Sequence, residues 1–252
     1  MYDLPGYVWA MTLGGVIGIL LTTSYVLYRG GVEIGLSRTK AIGVGLASYV
    51  LLGGWLVASG LLAWSGAYVQ GSGDVRPWLG LAAVSVLAGV LLAGRIPLVS
   101  RILAHPGTLS LLVLPNVFRI FGTTFLTVMA LGHLPAVFAL PAGLGDIAAG
   151  AAAPFLAWRL ARGDRRGAVS FHVFGILDLA VALAIGYLAG LGPVQLIHVA
   201  PSTEALGMLP LVLVPTVAVP LIIGLHVLSL GRLHAMARAE VRHASEPLPA
   251  AG

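Results

Sequence analysis

Three formal charges lie near the middle of three consecutive apolar segments: Arg119, Asp146 and Asp178. Hydrocarbon does not solvate charge, so ionisable side chains within a membrane span face the interior of a helix bundle or a water-filled cavity. At 1.5 Å per residue, each of the three lies about 15–17 Å from a membrane face, close to the midplane. The spacing therefore predicts that the three side chains meet inside a bundle.

The balance of these charges predicts a protonatable site. Each charge left unpaired at a helix centre costs about 2.5–3.5 kcal/mol, so the pairing of Arg119 with a carboxylate is nearly obligatory. One guanidinium does not compensate two carboxylates, and we expect the second aspartate to hold a proton. A carboxyl group in that state suits proton coupling or general acid–base chemistry.

Neutral polar residues accompany Arg119 along its segment. Asn116 and Thr123 fall three residues before and four residues after Arg119, which places all three on one face of an α-helix. Asn116 and Thr123 are therefore predicted to supply neutral hydrogen bonds to the site. Gly175, one turn before Asp178, is predicted to leave room for the long arginine side chain.

Two histidines, His172 and His226, are weaker candidates for haem ligands, because both fall near the same end of their segments. No other metal-ligand pattern is present, and the cofactor stays open. Gly143-Leu144-Gly145-Asp146 is similar to the GxGD signature of intramembrane aspartyl proteases. Those enzymes carry an aspartate on the preceding helix, where this chain has Arg119, so the pattern disfavours a protease. The chain contains no cysteine, which excludes thiolate chemistry.

The composition determines the class of protein. Hydrophobic residues make up 58% of the chain, charged residues 9%, and the mean hydropathy is +0.99. Such a chain is expected to be an all-α polytopic membrane protein, a bundle of seven transmembrane helices in one domain spanning residues 1–252. The predicted spans are residues 8–28, 41–64, 78–94, 109–131, 135–158, 167–189 and 208–230. Residues 231–252 are predicted to form a cytoplasmic, partly disordered tail.

The distribution of basic residues predicts the orientation. Arginine and lysine are concentrated in alternate connections and in the tail, and only Arg76 falls in a connection on the other side. The positive-inside rule then places the N-terminus outside and the C-terminus in the cytoplasm. Because the basic residues are scattered over short loops, nucleic acid is not a predicted partner, whereas membrane lipids are.

Parts of the predicted spans four to six resemble a group of uncharacterised bacterial membrane proteins. The resemblance is carried by Phe118-Arg119, by Leu134-Pro135, by the run from Phe138 to Asp146 (FALPAGLGD), and by Asp178-Leu179. It implies a multi-pass protein of the bacterial cytoplasmic (inner) membrane and brings no activity with it.

Three classes of function follow from the layer formed by Arg119, Asp146 and Asp178, which we call the charged layer. The first is binding or translocation of a small molecule or an ion at Arg119, Asp146 and Asp178. The second is an intramembrane enzyme that acts on a lipid or isoprenoid, for which we expect a lateral opening at the same carboxylates. The third is a structural or partner-binding subunit whose charges lock the helices together, for which we expect a dry layer with Arg119 fully paired. The sequence leaves open the oligomeric state and whether the protein is an enzyme.

Overall fold

A computed structural model describes residues 4–70, 77–192 and 195–245, and these residues contain helices and no strands. Two 3₁₀ segments, Leu114–Gly122 and Glu204–Gly207, and a π segment, Val214–Ala218, lie between the α-helices. The α-helices are α1 (Gly6–Glu33), α2 (Arg38–Trp64), α3 (Trp78–Ala93), α4 (Pro97–Ala104), α5 (Thr108–Leu111), α6 (Thr123–Ala130), α7 (Ala136–Ala161), α8 (Ala168–Leu188) and α9 (Val219–Ser245). Arg76 and residues 246–252 of the predicted tail lie outside the described residues, and residues 231–245 of that tail continue α9 as helix.

Six helical stretches in the described ranges are long and apolar enough to cross a membrane. The third predicted span differs from these, because α3 has 16 residues and is about 24 Å long, shorter than the hydrocarbon core of about 30 Å. The helices α3 and α4 form a pair that is bent by 77°. A seventh membrane span exists only if these two helices together count as one span. The described residues thus form an all-helical structure with membrane-length apolar helices, and the count of seven stays a prediction.

The fourth membrane-length stretch, Thr108–Ala130, changes its winding midway. Its central part, Leu114–Gly122, forms a 3₁₀ helix that begins beside Pro115 and ends at α6. A 3₁₀ helix longer than three or four residues is uncommon, and within an α-helical span it often marks a functional position or strain. Arg119 lies in this segment, which we call the 3₁₀ segment.

The 3₁₀ segment lies at the centre of the bundle. α7 packs along it on one side and α1 on another, α8 packs beside both α7 and α9, and α3 packs on α9. The last membrane-length stretch starts with a π segment, Val214–Ala218, before α9. Trp55 of α2 donates a hydrogen bond from Nε1 to the Thr216 carbonyl at 3.0 Å, which satisfies one backbone group where the winding changes.

The ends of the helices define two faces of the bundle. α1, α3 and α7 end, and α2 and α8 begin, at the end that carries Arg29, Arg38, Arg95, Arg159 and Arg166. We call this end the basic face. The other end, where α2 and α8 finish and α7 begins, is the opposite face.

Asp164 organises the tight connection between α7 and α8 on the basic face. Its Oδ1 accepts the backbone N–H of Arg166 at 3.0 Å, and its Oδ2 accepts two N–H groups of Arg159 at 2.9 and 2.7 Å. The Arg166 N–H and then the Arg159 guanidinium lower the pKa of Asp164 from its ordinary value of 3.8.

A lowered pKa makes the contribution of Asp164 dependent on pH. The carboxylate stabilises the folded state above its ordinary pKa, and this contribution disappears as the pH falls through the lowered pKa. We therefore expect Asp164→Asn to be less stable than the wild type near neutral pH and equally stable in strong acid. Thermal unfolding of both proteins, measured from neutral pH to strong acid, tests this expectation. A stability difference that persists unchanged in acid would contradict it.

Candidate functional site

Arg119 lies deep inside the bundle. Its side chain is 3% exposed, although it carries a charge that is always present. Such a group remains buried only when acceptors compensate it, because removing a charge from water costs several kcal/mol. The surrounding helices must therefore supply its partners.

Two aspartates on adjacent helices supply those partners. Arg119 Nε donates to Asp146 Oδ1 of α7 at 2.7 Å, and Arg119 Nη2 donates to Asp178 Oδ2 of α8. The aspartate side chains are 11% and 10% exposed. The structure thus brings together the three charges that the sequence placed at one depth, in a network of one cation and two carboxyl groups.

Glycines allow the three helices to approach this closely. A Cβ atom on Gly122 would overlap the Asp146 side chain, and one on Gly145 would overlap the Asp178 carboxyl group. A Cβ atom on Gly150 would lie 2.5 Å from the backbone nitrogen of Ile120, next to Arg119. The guanidinium reaches both carboxyl groups because these positions lack side chains.

Asn116 and Thr123 have different positions relative to the site. Asn116 is fully buried, one 3₁₀ turn before Arg119 and on its face, and its side-chain nitrogen donates to the Val113 carbonyl at 3.2 Å. Thr123 is partly exposed and its hydroxyl donates to the Ile120 carbonyl at 3.2 Å, so its predicted place beside Arg119 is wrong. The α-helical spacing fails because a 3₁₀ helix has three residues per turn, which rotates Thr123 about a third of a turn away.

Several polar atoms at the site have no hydrogen-bond partner among the described residues. They are Arg119 Nη1, Asn116 Oδ1 and Thr124 Oγ1, and all three are buried. Buried polar groups of this kind are normally satisfied by the protein, by water or by a ligand. The network is therefore incomplete within the described part of the chain.

Two cavities adjoin the network. A cavity of about 100 Å³ is lined by Asp146 and Asp178 at one end and extends towards Gly190 and Glu204 at the opposite face. A smaller cavity of about 50 Å³ lies between α1, the 3₁₀ segment and α9, and touches Arg119, Thr124 and Asp146. Both volumes exceed what one water molecule requires, so the charged layer has room for water or a small ligand.

The two candidate haem ligands form a pair of their own. His172 of α8 and His226 of α9 are fully buried, and their Nδ1 atoms are 2.8 Å apart, so one ring donates to the other. The two axial ligands of one haem iron, bound on opposite sides by bonds of about 2 Å, would be about 4 Å apart. The Nδ1 atoms thus bind each other and are not placed as the two axial ligands of one haem.

The pair also corrects the prediction for Gly175. The ring of His226, and not the side chain of Arg119, fills the space beside this glycine. The Asp178 carboxyl group, which accepts from Arg119 Nη2, lies instead in the space left by Gly145 on α7.

The sequence pattern missed Thr124, Gly122 and the packing role of Gly145. Gly145 had a usable signal, because it directly precedes Asp146 in a short glycine-rich run. Thr124 had none, because an α-helical period places Thr123, and not Thr124, with Arg119.

The chain matches the model of a protein family. The model of a family described as a domain of unknown function, DUF8737, matches residues 76–234, which is more than half of the chain and contains Arg119, Asp146 and Asp178. No curated protein and no solved structure matches the chain. Its function therefore has to be argued from the geometry of the site.

Proposed function

We propose that this chain, which belongs to the DUF8737 family, binds and translocates a small cation or a proton at Arg119, Asp146 and Asp178. The observation that carries the proposal is the cavity that reaches Asp146 and Asp178 from the opposite face. A charged network that is reached by a cavity is accessible to a ligand, whereas a network that only locks helices has no need of one.

The charge of the network supports a cationic ligand. One guanidinium and two carboxylates sum to one negative charge, which is costly where water is scarce. A proton or a monovalent cation entering from the cavity neutralises that charge. Asp146 and Asp178 each accept from Arg119 through one oxygen and both line the cavity, so we assign the ligand to the other oxygens of these two carboxyl groups.

The membrane setting is part of the proposal. We infer a seven-helix bundle with an outer N-terminus and a cytoplasmic C-terminus in a bacterial inner membrane, where the basic face is cytoplasmic. The cavity then opens to the outside, and the charged layer lies between it and the buried histidines. Transport would require a second state with access from the basic face.

The two other functions have less support. A helix lock predicts full pairing of Arg119, but its Nη1 has no partner among the described residues, and two cavities touch the network. A lipid enzyme predicts a lateral apolar opening at the carboxylates. An apolar cleft of about 520 Å³, lined mainly by α2, α3 and α9, contains none of Arg119, Asp146 and Asp178.

Neutralising the carboxyl groups tests the proposal. We expect the wild type to be stabilised by the cation it binds, by about 2.7 kcal/mol at a hundredfold excess over the dissociation constant. Asp146→Asn and Asp178→Asn should remove this stabilisation, because an amide does not neutralise a cation. Thermal unfolding of the purified protein in sodium and in choline at equal ionic strength measures the binding of a cation. Proton uptake by the protein in unbuffered solution measures the binding of a proton.

Asp164→Asn is the matched control, since it makes the same substitution in a loop outside the bundle. It should retain both the sodium effect and the proton uptake of the wild type. If Asp146→Asn and Asp178→Asn fold and retain both signals at the wild-type level, the proposal is wrong.

A further inference from the structure

A wide apolar groove runs along the bundle on the side of α2 and α3. It has a volume of about 520 Å³ and is lined almost entirely by apolar side chains. α2 packs on α1 and α3 packs on α9, so the two helices leave a gap between them. The groove extends from the level of Trp55 down to Ile96, Val99 and Leu103 at the basic face. Its volume falls in the range of ligand pockets.

Basic residues stand at the end of this groove. Lys40 lies four residues before the lining residue Val44 on α2, and Arg232 lies four residues after the lining residue Leu228 on α9. Residues four apart share a helix face, so both cations continue the grooved face beyond its apolar part. Arg95 lies between Gly94 and Ile96, both of which line the groove.

These cations have no carboxylate to pair with in the described part of the chain. At the basic face Glu33 is bonded to Arg29 and His105, Asp164 to Arg159, and Glu240 to Arg165. Arg232 also has a buried Nε without a hydrogen-bond partner among the described residues. An anion supplied from outside the chain would satisfy these groups.

We infer that the groove binds an anionic phospholipid, with an acyl chain between α2 and α3 and its phosphate held by Lys40, Arg95 and Arg232. The two halves of the site match the two halves of such a molecule. Apolar lining suits hydrocarbon, and basic pockets between transmembrane helices bind anionic head groups. A free anion would leave the apolar part empty, and a neutral lipid would leave the cations unpaired.

The site is independent of the charged layer, because none of Arg119, Asp146 and Asp178 lines the groove. It therefore stands whether or not the protein translocates a cation. The bound lipid would fill the gap between α2 and α3 and hold these helices together from the basic face.

Native mass spectrometry of the delipidated full-length protein with phosphatidylglycerol tests the acyl half of the site. Gly89 lines the groove and has open space around its Cβ position, so Gly89→Phe should fill the groove without disturbing the backbone. We expect this variant to bind at least tenfold more weakly than the wild type. Gly80→Phe is the control, because Gly80 also lies on α3 in open space but outside the groove, and it should bind like the wild type.

The head-group half is tested by Arg95→Gln combined with Arg232→Gln. Each cation near the surface contributes about 1 kcal/mol, so the double variant should bind about 30-fold more weakly. Arg162→Gln combined with Arg166→Gln removes the same charge from the same face and should have little effect.

Three results would overturn the inference. The first is equal binding of phosphatidylcholine and phosphatidylglycerol by the wild type. The second is wild-type affinity for phosphatidylglycerol in both Gly89→Phe and the arginine variant. The third is binding of inorganic phosphate alone that is as tight as the binding of phosphatidylglycerol. The unfolding temperature of each variant without lipid establishes that it is folded, so a failure to fold is not counted as lost binding.

Discussion

Arg119→Leu is expected to destabilise the protein by about 3–5 kcal/mol, because removing one partner of a buried ion pair leaves the other charge without compensation. Here the loss strands two carboxyl groups, Asp146 and Asp178, in a layer where their side chains are about nine-tenths buried. In a chain of this length, a loss of that size lowers the unfolding temperature by about 6–20 °C. Thermal unfolding in detergent measures it.

The same reasoning predicts a rescue. Arg119→Leu combined with Asp146→Asn and Asp178→Asn removes all three charges, and a neutral layer of similar volume is often as stable as a buried ion pair. We expect the triple variant to regain most of the loss. A triple variant as unstable as Arg119→Leu alone would mean that packing, and not charge, explains the effect.

The second large effect is expected from Gly150→Ala. The added Cβ would meet the backbone of Ile120 at 2.5 Å, and a backbone cannot move aside as a flexible side chain can. α7 and the 3₁₀ segment would have to separate, which carries Arg119 away from Asp146. Overpacking of this kind costs about 1–3 kcal/mol, and the site should lose its cation signal at the same time.

Gly53→Ala is the matched control for this prediction. Gly53 lies within α2, and nothing stands within 4 Å of its Cβ position. Alanine is favoured over glycine inside a helix by about 1 kcal/mol, so this variant should be as stable as the wild type or more so. Unfolding temperatures and sodium-dependent stabilisation of the two variants provide the comparison. Equal behaviour would show that the contact at Gly150 is not restrictive.

Together these variants separate two properties of the charged layer. Arg119→Leu changes the charge of the layer without adding an atom between the helices. Gly150→Ala changes the helix spacing and leaves the three charges in place. If binding depends on the geometry of the network, both should remove the cation signal. If only the net charge matters, Gly150→Ala should retain it.

The sequence alone determined the class of fold and the members of the charged layer. Its apolar segments are long enough that the backbone must form helices in lipid, and the membrane-length helices of the structure agree with this. The expectation that Arg119, Asp146 and Asp178 meet also came from the sequence, because distance along a helix is proportional to residue number, and the structure joins the three side chains by hydrogen bonds. The cost of burying charge then required a partner for the arginine.

Only the tertiary structure decided which atoms face one another around those charges. The 3₁₀ segment changes the winding within a span, so Thr123 turned away from Arg119 where the α-helical spacing had placed it alongside. His226 took the space beside Gly175 that was predicted for Arg119, because α9 packs on α8 there. The cavities also depend on helix packing. A residue's depth is a local property of one helix, whereas its neighbours across the bundle depend on the rotation and approach of several helices, which no single segment encodes.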